Sequence, residues 1–318
     1  MTSEVKDSLW TALADPDPAH RQLALIGRAD VVDASALEPL IAAAADVDPT
    51  VRRLAIGMLE ELGDPRGLPA IIAALGDDND GVLEAARSAV REFRGEEAGA
   101  VLLSAATHES HAVREWIIIA LRELRDPRTA PVLLAALEDR SAPVRRAAVV
   151  SLAYLRNPAH AAALRGKLFD DDAGVRRLAV AALVRAGGPD FAVPIAKLLR
   201  DSDWQVRAEA ASALGASNDR AAAPALLAAL DDSHWQVVKA VVVALAGIKA
   251  EAAAPRLTAL LESPSSDVRR SAAEALGKLG TAVARPALHR LLSDPDVEVR
   301  KSASRALDAL GGAANGRG

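Results

Sequence analysis

The stretch DVEVRKSASRALDAL, from Asp296 to Leu310, decides the fold class of this chain. Counted from Val299, apolar residues recur four, seven, eight and eleven positions later, which is the periodicity of an amphipathic helix. The pattern returns upstream at a strict spacing of 31 residues. The column that contains Val299 consists of His20, Val51, Val82, Val113, Val144, Val175, Val206, Val237, Val268 and Val299. A fixed period of this length is typical of stacked helical repeats.

Each repeat contains two helices, which we name helix A and helix B. Helix A carries the valine column, and an alanine usually follows four positions later, where a small side chain lets neighbouring helices approach closely. Helix B comes before it in each repeat, as in PVLLAAL at residues 131–137 and PALLAAL at residues 224–230. Three positions before the column, nine repeats of ten carry Asp, Asn or Ser, which predicts a helix N-cap worth about 1 kcal/mol.

The register extends to both ends of the chain. Leu9, Trp10 and Leu13 lie one period before helix-B residues, so we expect the chain to begin with a helix B. The last helix A is expected to end at Leu310, before a flexible tail at residues 311–318. The sequence therefore predicts an all-α fold, a right-handed α-solenoid of about ten 31-residue helix pairs that forms a single domain over residues 1–310. The third repeat, with Leu83 in place of arginine and Gly95-Glu96-Glu97 in its turn, is the predicted site of a local bend.

Composition excludes several function classes. The chain has 318 residues, 51% of them apolar, and no cysteine, which rules out disulfides, thiolate metal sites and a cysteine nucleophile. A net charge of -5 argues against a general nucleic-acid binder or a binder of acidic membranes. No run of about 18 apolar residues is present, so we expect no membrane span. The polar N-terminus has no signal-peptide core, so a cytoplasmic location is expected.

The consensus D-x-D-x-x-V-R-x-x-A-x-x-A-L, followed by D-P-x-x-x-P-x-L-L-x-x-L, resembles the short HEAT-like repeats named after phycobilisome lyases. Good matches lie at residues 46–75, 201–230 and 294–310, and the resemblance covers nearly the whole chain. It implies the solenoid fold but no single activity, because that repeat class includes bilin lyase subunits, deoxyhypusine hydroxylases and many adaptor proteins. HEAT-like alkylpurine DNA glycosylases are more distant relatives.

An arginine directly follows the column in eight repeats. These are Arg21, Arg52, Arg114, Arg145, Arg176, Arg207, Arg269 and Arg300. They are interpreted either as a phosphate-binding stripe or as a structural ladder that pairs with loop aspartates of the same or a neighbouring repeat. Aspartates recur with the same period, and a guanidinium matches a carboxylate in shape, so the ladder is favoured.

Two adjacent repeats carry the same dipeptide at the start of helix A, Trp204-Gln205 and Trp235-Gln236. Side by side, the indoles would form a recognition platform, since tryptophan is enriched at binding hot spots. The alternative is that each indole only covers the end of its loop. Positive residues on the C-terminal helices B, including Arg256 and Arg290, predict a face that receives an acidic peptide or helix, unless they form only a solvated helix face.

The segment His108-Glu109-Ser110-His111, with Glu115, is the one combination of histidines and carboxylates that suggests a metal. It lies in a return loop and lacks a second set of ligands, so we predict neither a metal nor another cofactor. The sequence shows no nucleophile–base pair, glycine-rich phosphate loop or paired carboxylates.

These observations favour a non-catalytic scaffold that binds a peptide, a helix or a partner subunit, with Trp204, Gln205, Trp235, Gln236, Arg256 and Arg290 as candidate contacts. One alternative is an accessory or lyase-type subunit that handles a bilin-like cofactor. A nucleic-acid-binding glycosylase or a metal-dependent hydroxylase is less favoured, and the partner is expected to be a protein.

Overall fold

The computed structural model describes residues 11–27, 33–186 and 191–315, with no account of the side chains of 312–315. All regular structure in these ranges is helical. The helices A are α1 (Pro18–Ile26), α3 (Pro49–Leu62), α5 (Asp80–Ala89), α7 (His111–Glu123), α9 (Ala142–Tyr154), α11 (Ala173–Ala186), α13 (Trp204–Ala216), α15 (Trp235–Gly247), α17 (Ser266–Leu279) and α19 (Val297–Asn315). The helices B are α2 (Leu37–Ala43), α4 (Leu68–Ala74), α6 (Gly95–Ala105), α8 (Ala130–Ala136), α10 (Ala161–Gly166), α12 (Ala192–Lys197), α14 (Ala223–Ala228), α16 (Ala254–Ala259) and α18 (Arg285–Arg290).

Short 3₁₀ turns extend most helices B at one or both ends. They lie at residues 34–36, 65–67, 127–129, 158–160, 167–169, 198–200, 220–222, 229–231, 251–253, 260–262, 282–284 and 291–293. Several begin at an Asp-Pro or Asn-Pro pair, where the side chain of Asp64, Asp126 or Asn157 caps the turn. Proline suits the first position of such a turn because its missing N–H has no partner to lose there.

The core follows the 31-residue period. Every valine of the column, from Val51 to Val299, is at most 1% exposed. The alanine four positions later is fully buried in seven repeats, at Ala55, Ala86, Ala148, Ala179, Ala210, Ala272 and Ala303. The exposed member of the column is His20, in the first helix A, where its ring contacts Asp15 instead. The predicted all-α solenoid class is confirmed by this alternation of helices A and B.

The chain divides into two compact units between Leu155 and Arg156. In the first unit, helix A packs on the next helix A in the pairs α1–α3, α3–α5 and α7–α9. In the second unit the same packing joins α11–α13, α13–α15, α15–α17 and α17–α19. A single domain over residues 1–310 stays a prediction.

Helix A ends in the left-handed region at one column, twelve positions after the valine. Two residues there are glycines, Gly63 and Gly280, for which a positive φ carries no steric penalty. The other residues with positive φ in this column are Arg125, Arg156, Asn218 and Lys249. In these six repeats the left-handed residue holds the same place after helix A, although arginine and lysine do not favour a positive φ.

Two sequence expectations about helix ends differ from the structure. Helix α19 continues to Asn315, five residues beyond the end predicted at Leu310, because the glycine pair that follows Leu310 does not stop it. The serines at the cap position, Ser110, Ser141 and Ser265, make no side-chain cap hydrogen bond, whereas Asp48 and Asp203 each accept two amide hydrogen bonds. Leu9 and Trp10 of the predicted first helix B lie outside the described residues, and Leu13 is helical.

Candidate functional site

An arginine after the valine column bonds an aspartate 25 residues later, at the start of the next repeat. In one example, Nε of Arg52 donates to Oδ2 of Asp77 at 2.7 Å and Nη2 donates to Oδ1 at 2.8 Å. The same two-bond pairing joins Arg21 to Asp46, Arg114 to Asp139, Arg176 to Asp201, Arg207 to Asp232 and Arg269 to Asp294. We call each pair a rung and the series the ladder.

The third nitrogen of each arginine bonds the loop of its own repeat. Nη1 of Arg52 donates to the backbone carbonyl oxygens of Asp46 at 2.9 Å and Val47 at 3.2 Å. Arg300 bonds the carbonyl oxygens of Asp294 and Pro295 in the same way. In the rungs named above, the arginine side chains are only 8–14% exposed. Each rung therefore joins two successive loops, and it leaves the guanidinium little surface for a phosphate.

In several rungs the pairing favours the ionised form of the aspartate. The guanidinium of Arg52 holds the pKa of Asp77 below its ordinary value, although burial acts in the opposite direction. The pKa of Asp139 is lowered in the same way by Arg114, and that of Asp294 by Arg269. A charge-assisted, two-bond contact between a planar guanidinium and a carboxylate is among the stronger polar contacts in proteins.

The interruptions of the ladder identify its partners, a signal that the sequence reasoning missed. Arginine is absent from its column at Leu83 and Val238, and aspartate is absent from its column at His108 and Ser263. Each missing aspartate lies 25 residues after a missing arginine. These exceptions therefore indicate that each arginine pairs with the aspartate 25 residues later, in the next repeat. The shared period of arginine and aspartate alone does not distinguish that partner from an aspartate of the same repeat.

The two tryptophans lie on the edge formed by the loops that precede helices A. The ring of Trp204 stacks on His234, with centroids 5.8 Å apart and planes 10° from parallel. Trp235 is 43% exposed, and the Nζ of Lys239 lies 5.9 Å from its ring centroid. Gln205 is exposed beside Trp204, and Gln236 is half-buried beside Trp235. The indoles therefore occupy equivalent places in adjacent repeats, but the ring that stacks on Trp204 is that of His234.

Arg256 and Arg290, the cations predicted to contact a partner, form ion pairs with acidic side chains. Nη2 of Arg256 donates to Oδ1 of Asp231 at 2.6 Å, and Nη2 of Arg290 donates to Oε1 of Glu262 at 3.4 Å. All four side chains are about half exposed or more. Such surface pairs contribute about 0–1 kcal/mol, so a partner carboxylate competes with a weak bond.

A groove of about 580 Å³ lies on the helix-B face of the second unit, between α12 and α14. Its apolar lining comes mainly from alanines and from Val193, which is 73% exposed. Lys197 and Arg200 line the same groove, and both are exposed. Neither forms an ion pair with any residue that the structure describes.

Of the two histidines that suggested a metal, His108 bonds the backbone of its own loop and His111 is the first residue of helix α7. Nδ1 of His108 accepts a hydrogen bond from the backbone N–H of Ser110 at 3.1 Å. Among the described residues, no group of three or more histidine, aspartate and glutamate side chains is placed to hold a metal ion. Within the same ranges, no helix combines the length and the hydropathy that a membrane crossing requires.

Comparison with known proteins places this geometry in a class. A family model described as HEAT repeats matches residues 7–91, 83–153, 130–195, 192–277 and 256–315. Among solved structures, an engineered protein has a TM-score of 0.50 at 21% identity, covering 98% of this chain and 99% of that chain. Yeast importin-beta (Kap95p) has a TM-score of 0.60 at 15% identity, covering 96% of this chain and 49% of that chain. A structure of Kap95p with RanGDP has a TM-score of 0.64 at 16% identity, covering 96% and 48%.

At these identities the likeness concerns the fold alone. The chain spans about half the length of the importin chains that it matches. The sequence matches no curated protein at a significant level.

Proposed function

Because the chain belongs to the HEAT-repeat family, we propose that it is a protein-binding scaffold that holds an acidic, amphipathic segment of a partner on the helix-B face of its second unit. The observation that carries this proposal is the groove between α12 and α14, with its apolar lining and its two cations. Solved structures of similar fold include a complex of Kap95 with Nup1 and a structure of Kap95p with RanGDP, which supports protein binding as a use of this fold.

The lining of the groove suits a helix or an extended peptide. Ala196, Ala225, Ala228 and Ala229 present methyl groups, so the backbone of a partner can approach closely. An apolar helix face laid into such a groove is a recurring mode of peptide recognition. Phe169, which is 62% exposed, lies one repeat before Arg200 in the same register and extends the apolar surface.

Charge selects the partner. Lys197 and Arg200 form no ion pair with any described residue, and Arg165 on the preceding helix B is also exposed without one. Arg256 and Arg290 are already paired with Asp231 and Glu262. An acidic segment that covers the groove therefore gains contacts first with Lys197 and Arg200, while Arg256 and Arg290 contribute only after their own pairs open.

A photo-crosslinking residue at Ala228 tests this proposal in a lysate of the source organism. Its matched control is the same residue at Ala73, which is exposed at the equivalent position of helix B in the first unit. We expect a protein to be captured at position 228 but not at 73, and we expect the contact peptide to be acidic. The double substitution Lys197→Glu and Arg200→Glu should abolish that capture.

Equal capture at both positions, or capture that persists after the charge reversal, would contradict the proposal. Recovery of nucleic acid or of a chromophore in place of protein would contradict it as well. Helical circular dichroism of each variant establishes that the array is folded before the capture is compared.

A further inference from the structure

We propose that the tryptophan edge of the second unit is a separate docking site for a proline-rich segment in the polyproline II conformation, with a basic residue of that segment against Asp171. The edge is defined by Trp204, Trp235 and the loop residue Asp171, which lies two residues before Ala173, the position equivalent to Trp204 in the preceding repeat. It lies at the loops before helices A, whereas the groove of the proposed function lies between helices B, so the two sites are independent.

Spacing is the first argument. Trp204 and Trp235 are 31 residues apart and hold equivalent positions in successive repeats, so their separation is one repeat step. Packed helices have axes about 8–10 Å apart. A polyproline II helix rises about 3.1 Å per residue with three residues per turn, so prolines three positions apart are separated by about 9.3 Å along it. One turn of the peptide therefore matches one step of the protein, and successive prolines meet successive indoles.

Available surface is the second argument. Aromatic-lined grooves are the usual receptors for preformed polyproline II segments. Trp235 leaves 43% of its surface exposed, whereas Trp204 is half-buried, and the stack on His234 covers one face of its ring and fixes its orientation. The side-chain amides of Gln205 and Gln236 make no hydrogen bond with any described residue. They are free to donate to the carbonyl oxygens of a polyproline II backbone, which has no internal hydrogen bonds of its own.

Charge gives the segment a direction. Asp171 is exposed, and its carboxylate forms no ion pair with any residue that the structure describes. The equivalent loop positions in the next two repeats are Ser202 and Ser233, which carry no charge. A basic residue of the partner is therefore favoured at the Asp171 step, followed by prolines at the Trp204 and Trp235 steps. The matching peptide has a basic residue, then prolines three and six positions later.

The probe is the peptide Arg-Ala-Ala-Pro-Ala-Ala-Pro-Ala, titrated into the full-length protein by isothermal calorimetry. We expect saturable binding at a 1:1 ratio. Trp204→Ala and Trp235→Ala should each raise Kd at least about tenfold, as substitutions at an aromatic anchor do. Asp171→Asn should raise Kd by a smaller factor and weaken the dependence of binding on salt.

Two controls separate this site from a loss of folding and from the groove. Phe169→Ala removes an exposed aromatic ring from the helix-B face and should leave Kd unchanged. On the unaltered protein, the peptide Arg-Ala-Ala-Pro-Ala-Ala-Ala-Pro moves the second proline by one position and should bind at least about fivefold more weakly, because that proline no longer faces the second indole. Equal binding of the two peptides, unchanged Kd in both tryptophan variants, or no binding at all would overturn the inference, and none of these results bears on capture at Ala228.

Discussion

Two steps between neighbouring helices A show how differently this chain joins its repeats. Between α13 and α15, Arg207 and Asp232 form a rung, and Gly215 faces the backbone of Ala244 so closely that a Cβ on the glycine would lie 2.7 Å from the Cα of the alanine. Between α5 and α7 the rung positions are Leu83 and His108, and the backbones make no comparably close approach.

At the α5–α7 step, a cation–π contact takes the place of the rung and of the close glycine contact. The guanidinium of Arg87 lies 5.2 Å from the ring centroid of Trp116, and such cation–π contacts are worth about 0.5–1 kcal/mol at exposed sites. Helix α5 is also shorter than its neighbour α3, with 10 residues against 14. At the α13–α15 step a rung and a small residue accompany the close approach, whereas the α5–α7 step, which lacks both, uses larger side chains to fill the space. A rung is not required for this packing, because α15 packs on α17 although Val238 and Ser263 occupy the rung positions there.

The largest effect is expected from removal of a rung. Asp77→Ala leaves the guanidinium of Arg52 without its carboxylate and should cost about 3 kcal/mol, the scale for breaking a largely buried ion pair. The free energy of unfolding, from urea denaturation of the variant and the parent, is the measurement.

Asp78→Ala is the matched control for that variant. Asp78 is the neighbouring residue, its side chain is 99% exposed, and its carboxylate lies 3.6 Å from Arg52. We expect a change within about 0.5 kcal/mol, as for an ordinary surface substitution. Equal losses in the two variants would mean that the effect comes from net charge and not from the rung.

The next largest effect on stability is expected where helices α13 and α15 approach each other closely. Gly215→Ala should destabilise the protein by about 1–3 kcal/mol, because the new methyl group overpacks a contact between two backbones. Gly57→Ala, in helix α3, should instead stabilise it by about 0.5–1 kcal/mol, since no atom lies within 4 Å of the new Cβ and alanine favours a helix. Thermal melts of the two variants check the opposite signs. A gain in stability for Gly215→Ala would show that the helices are farther apart than the structure has them.

The sequence predicts the fold in detail because its period leaves little choice. The column from Val51 to Val299 and the alanines four positions later identify the buried face directly, and both are buried in the structure. The predicted end of the last helix at Leu310 was wrong. Gly311 and Gly312 suggest a helix stop, but the helix continues through both glycines. The pairing of Trp204 with His234 was missed because contacts between loops of different repeats leave no periodic signal when one partner, His234, is an exception in its column.

The candidate site is less predictable than the fold for a physical reason. Arg256 and Arg290 stand out in the sequence as charges on helices B, but which cations are free depends on acids in neighbouring repeats, and the structure pairs both. Lys197 and Arg200 are the cations left for a ligand in the described groove. Whether a cation can bind a ligand depends on its burial and on its ion pairs, and neither can be predicted from a single sequence position.

The most direct test of the account is to build a rung where the chain lacks one. Leu83→Arg and His108→Asp restore the two missing residues 25 positions apart, and a double-mutant cycle measures their coupling in the free energy of unfolding. The account predicts that the double variant is more stable than the sum of the single variants by about 1 kcal/mol, within the range found for residues in direct contact. Strict additivity, or a double variant less stable than that sum, would contradict the claim that these rungs join successive repeats.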